Sequence, residues 1–139
     1  MKYILKSKNR EEPAVKLSRL LALMPNLDDI KWRLFNLLAV GKLDKVKIID
    51  LEKLVSNSEN GYEIDFSFLE ELAVGLDDIQ EILITGSSLY SRNLNITGKD
   101  AYENFDYWLE LVDSSYWEVF SKNESFIKLV KSEFLAELD

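Results

Sequence analysis

Carboxylates are the side chains of this 139-residue chain whose number and spacing could support acid–base or metal chemistry. Adjacent pairs stand at Asp28 and Asp29, Glu70 and Glu71, and Asp77 and Asp78. Histidine and cysteine are both absent. Ser/His triads, Cys/His dyads, two-His-one-carboxylate iron sites and nearly all zinc sites are therefore excluded. What remains is carboxylate, lysine or tyrosine chemistry, or a hard cation such as Mg²⁺. Neighbouring residues on a helix point about 100° apart, so an adjacent pair does not converge on one ion or one proton by itself. Asp28 and Asp29 suit the first turn of a helix, and Asp77 and Asp78 suit a polar turn. The expectation is a protein that is not an enzyme, with no catalytic residue, metal or cofactor; a carboxylate or Mg²⁺ enzyme is the lesser alternative.

Two other patterns have a bland reading. Ile84-Thr-Gly-Ser-Ser88 follows a strand-like run and could offer backbone N–H groups to a phosphate, but it lacks a second glycine at motif spacing and reads as a plain turn. The late aromatics Tyr102, Phe105, Tyr107, Trp108, Tyr116, Trp117 and Phe120 are interleaved with Asp and Glu, which would repel phosphate. They read as core, and nucleic acid is not expected as a partner.

The charge is segregated along the chain. Residues 1–53 hold 12 Lys/Arg and 7 Asp/Glu, a net of +5, whereas residues 54–139 hold 5 and 18, a net of −13. Eight acids and no base lie between Leu54 and Ser91, and five more, again without a base, between Ala101 and Ser121. Interspersed signs are the usual solvated pattern. A one-signed field captures an oppositely charged partner quickly and selects it. Glu70, Glu71, Asp77, Asp78, Glu81, Glu103, Asp106, Tyr107 and Glu110 are accordingly read as the surface for a basic protein partner, with Tyr107 as an exposed anchor at the edge of an acidic helix face.

The length fits one domain spanning 1–139, and 47% hydrophobic with 30% charged residues is a globular balance. No apolar run nears the roughly 18 residues of a membrane span, and the opening MKYILKSKNR has too few apolar residues for a signal-peptide core, so a cytoplasmic protein is expected. Lys2 to Leu5 reads as a strand. Pro13 falls in the first turn of a helix whose Leu17, Leu20, Leu21 and Met24 recur at three and four. A second helix is expected from Asn26, with Ile30, Leu34, Leu37 and Leu38 on one face and Gly41 as its stop.

The tetrapeptide Leu-Ala-Val-Gly occurs at 38–41 and again at 72–75, each time before an Ile/Val-containing run. Both copies are expected to be helix–glycine–strand corners, a local solution used twice or a duplicated unit. Between them, 50–55 reads as a short helix, 56–61 as a loop, and Asp65 as the N-cap of the second corner's helix. Residues 85–98 read as a loop or irregular edge strand. A helix over 99–112 would place Ala101, Phe105, Trp108, Leu109 and Val112 on one arc and Glu103, Asp106 and Glu110 on the other. Residues 115–120 read as a strand, Ser121 to Glu124 as a capping box, and Phe126, Ile127, Val130, Phe134 and Leu138 as one face of a last helix. The predicted fold is an α/β (α+β) domain: a mixed sheet of three or four strands covered by five or six helices.

Small size, the lack of His and Cys, the acidic balance and the strand-then-helix ending YWEVFSKNESFI together resemble the bacterial immunity proteins of contact-dependent growth-inhibition systems. That resemblance implies a cytosolic inhibitor that binds one cognate nuclease toxin and blocks its active site or an adjacent surface. It carries over no individual residue. The alternative is an interaction or regulatory module whose acidity serves solubility.

Overall fold

The computed structural model describes residues 1–6, 15–25, 29–89 and 91–139. The expectations for Pro13, the helix start at Asn26 and Asp28 lie outside the described residues. In chain order the elements are β1 (Tyr3–Lys6), α1 (Leu17–Ala22), β2 (Ile30–Gly41), α2 (Ile48–Ser56), β3 (Tyr62–Ile64), α3 (Phe66–Gly75), β4 (Leu76–Ser88), β5 (Tyr107–Val112), β6 (Tyr116–Ser121), α4 (Glu124–Glu133) and β7 (Leu135–Leu138), with a short 3₁₀ turn at Ala101–Asn104. The strands form one seven-stranded sheet in the order β3-β2-β4-β5-β6-β1-β7. Every neighbouring pair is antiparallel. This overturns the expected small, mixed sheet: there are seven strands and four α-helices among the described residues.

Four errors account for the difference, and each has a physical source. Residues 30–41 form a strand whose ladder with β4 shifts register between Leu34 and Asn36 and again near Ala39. The extra residue at the first bulge sets the buried Leu34 and Leu37 three apart, a helical step that the half-buried Ile30 and the exposed Leu38 complete by chance. Residues 107–112 form a strand buried on both faces: Tyr107, Leu109 and Leu111 join one core and Trp108 the other. Such a strand loses its alternation and reads as a continuous apolar run. The run after Gly41 turns into a helix at Ile48, where Leu51 and Val55 supply the buried stripe. The last helix stops at Glu133, and Leu135–Leu138 pairs with β1.

β4 also takes in two stretches read as turns, Asp77–Asp78 and Ile84–Ser88, whereas the helix caps follow local signals. Asp65 caps α3, its carboxylate accepting from the Phe68 N–H at 2.7 Å. The cap of α4 is Asn123, which accepts from the Phe126 N–H at 3.1 Å. Ser121 contributes one step earlier, accepting from the Asn123 N–H.

The repeated tetrapeptide has a tertiary answer. Gly75 ends α3 and β4 begins at the next residue, whereas Gly41 ends a strand. The two glycines meet. A Cβ on Gly41 would lie 2.3 Å from the Gly75 carbonyl oxygen, and one on Gly75 would lie 2.5 Å from the Lys42 carbonyl oxygen. The Lys42 N–H donates to the Gly75 carbonyl at 2.9 Å. Only two residues without side chains allow that approach.

All four helices cover one face of the sheet, where Leu20, Leu21, Leu51, Val55, Leu69, Leu72, Phe126 and Val130 meet Leu5, Leu34, Ile82, Ile84, Leu109, Trp117 and Val119. The other face carries a smaller cluster of Leu83, Ala101, Phe105, Trp108 and Phe120, roofed in part by Leu94, Ile96 and Tyr102 from the segment between β4 and β5. That roof spans only part of the face.

Candidate functional site

The nine residues read from the sequence as a binding surface separate into three places. Glu70 and Glu71 stand exposed on α3, and Asp77 opens β4 beside them. They line a groove of about 650 Å³ at the glycine contact, opposite Lys42 and Lys45 of the β2–α2 loop. Its charge is therefore mixed, with the groove's acids facing two lysines.

Asp78, Glu81 and Glu110 lie on the sheet face opposite the helices, beyond the apolar roof, with Asp78 exposed and Glu81 and Glu110 half-buried. Asp78 stands opposite the exposed Val40, and Glu81 opposite the exposed Leu38. The Glu81 carboxylate accepts from Asn36 Nδ2 at 3.2 Å. Glu110 pairs directly across the ladder with Glu118 of β6. Like charges in that position oppose folding. Burial, reinforced by the Glu118 charge, raises the pKa of Glu110. Lys2, just before β1, answers, its Nζ lying 3.0 Å from Glu118 and 3.4 Å from Asp139. Burial alone would lower the Lys2 pKa, but those two carboxylates outweigh it and the net shift is upward. The three middle strands β4, β5 and β6 hold Asp77, Asp78, Glu81, Glu110 and Glu118, and no Lys or Arg.

Glu103, Asp106 and Tyr107 do not join that strip. Glu103 is exposed on the 3₁₀ turn. Asp106 fastens strands together: its carboxylate accepts from the Ser88 N–H at 2.9 Å, and its carbonyl accepts from the Lys122 N–H and the Ser121 hydroxyl. Tyr107 is 1% exposed, with its ring against Trp32 and Phe126 and its hydroxyl accepting from Asn123 Nδ2 at 2.9 Å. The reading of Tyr107 as an exposed anchor fails because residue 107 starts a central strand on its helix-covered face.

Glu118 and Lys2 belong to the strip and were missed. The alternation of Tyr116 and Glu118 with Trp117 and Val119 carried the signal for Glu118; nothing local pointed to Lys2. A second polar group, also missed, lies toward the β3 edge, where Arg33 is buried, donates to Ser87 Oγ at 3.0 Å and shares Glu63 with Lys31.

Among the described residues no group of three or more His, Cys, Asp or Glu is arranged to hold a metal ion. No helix among them is long and apolar enough to cross a membrane. Compared with family models, with curated proteins and with solved structures, the chain matches none.

Proposed function

We propose that the protein is a non-catalytic, cytoplasmic, acidic binder that captures and inhibits a basic protein partner, in the manner of an immunity protein blocking a nuclease toxin. The observation that carries this reading is the strip Asp78–Glu81–Glu110–Glu118. Four carboxylates and two exposed apolar side chains, Leu38 and Val40, share the unroofed part of one sheet face. Two of those carboxylates oppose each other at a cost to folding. Lys2 offsets that repulsion in part, through its ion pair with Glu118; a Lys or Arg from a partner would answer the carboxylates it leaves, and the apolar residues would supply contact area. The acids around the α3–β4 groove contribute less, since Lys42 and Lys45 already offset them.

The test is capture of a partner by the tagged full chain from its native host, followed by association kinetics at two ionic strengths. Asp78→Lys and Glu81→Lys should slow association several-fold at low salt and little at high salt, while Glu70→Lys has a smaller effect. Failure to recover a basic partner, or association indifferent to salt and to all three reversals, leaves the acidity as a solubility device.

A further inference from the structure

A sheet of seven strands has two edges, and they are finished differently. The β3 edge is three residues long, and its Glu63 is held by Lys31 and Arg33. The β7 edge is four residues long and runs Leu-Ala-Glu-Leu; its Glu137 lies 3.9 Å from Lys6, but it has no Lys, no Pro and no bulge, and both of its leucines are more than half exposed. These are the devices that normally stop one edge from pairing with another. No described element lies beyond it.

We infer that β7 is the interface for a second copy of this chain, joined edge to edge across a two-fold axis into one continuous antiparallel sheet. Backbone phase and charge both support that occupant. The Asp139 N–H donates to the Lys2 carbonyl, so in the alternating antiparallel ladder residues 139, 137 and 135 bond toward β1. Ala136 and Leu138 therefore present their N–H and C=O groups outward. Opposed residues must share a sheet face, so the axis passes through the Ala136 pair or the Glu137 pair. The second choice sets two carboxylates against each other. The first lets Ala136 exchange two hydrogen bonds with its copy and brings Leu138 opposite Phe134. Residues 1–6 and 124–139 together hold four lysines and four carboxylates, so this edge is neutral within a chain of net charge −8. A neutral edge suits a copy of itself better than a strongly basic strand. The acidic strip stays uncovered, once per copy.

So small an interface makes a weak dimer. Sedimentation velocity of the full chain over a wide concentration range should show reversible dimerisation. Ala136→Pro removes the outward N–H without touching a bond to β1. It should weaken the dimer about tenfold or more while leaving the melt of the dilute protein unchanged. Leu138→Lys places a charge at a position 58% exposed and should act the same way if the proline variant does not fold. Asp78→Lys should leave dimerisation intact. A parent that stays monomeric at every concentration overturns the inference, as does a folded Ala136→Pro or Leu138→Lys that dimerises as tightly as the parent.

Discussion

On one face of the sheet, four helices close over a continuous apolar layer that includes Leu34, Ile84, Leu109, Trp117 and Val119, each 1% exposed or less. On the other, one irregular segment roofs a five-residue cluster and leaves Glu81, Glu110, Glu118, Leu38 and Val40 beyond its cover. The same strands build both faces, since alternate residues of each point to opposite sides. Stability is thus concentrated on one side. The other side is left free to carry charge arrangements that cost stability, such as Glu110 against Glu118. A partner surface is easiest to place where packing does not dictate the residues.

This contrast can be broken by substitution. Trp117→Ala strikes the helix-covered face, where the ring is 1% exposed and its Nε1–H donates to the Val15 carbonyl at 2.7 Å. A loss near the top of the usual range of about 3–5 kcal/mol for a large buried aromatic is expected in a urea melt. Trp108→Ala strikes the roofed cluster on the opposite face. Its cost should fall nearer about 3 kcal/mol, because an irregular roof can settle into the vacated space. A larger loss for Trp108 than for Trp117 would reverse the assignment of the two faces.

The smallest effect sharpens the comparison on the open side. The folded-state pKa of Glu110 lies above its ordinary value, so the folded protein binds that proton more tightly than the unfolded chain does. Stability therefore falls as pH rises from the ordinary carboxylate value through the raised one, and the penalty persists in full above it. Glu110→Gln should remove that slope and leave the protein slightly more stable at neutral pH. Melts of parent and variant across the acidic range test this, and identical pH profiles would show that neither the burial of Glu110 nor its opposition to Glu118 carries a cost.

The sequence by itself determined what depends on residue type or on a few neighbouring residues. Without His or Cys a whole set of chemistries is closed. Asp65 caps α3 because capping is decided within one helical turn. β1, β6 and the start of α4 were legible for the same reason. Other features were decided only by contacts between distant residues. β2 sets Leu34 and Leu37 a helical step apart because a bulge against β4 inserts a residue into its alternation, and β5 hides its alternation where Trp108 is buried on the face opposite Tyr107 and Leu109. The two Leu-Ala-Val-Gly copies were visible as a repeat, but their glycines are required by each other across 34 residues. Tyr107 was placed at the surface by a helical arc and is buried by a strand. The acidic field was countable from the chain, yet which carboxylates oppose one another depends on strand register. Register is set by the partner strand and by which face the core claims, so a one-residue slip would turn Glu110 away from Glu118 and into the packed layer.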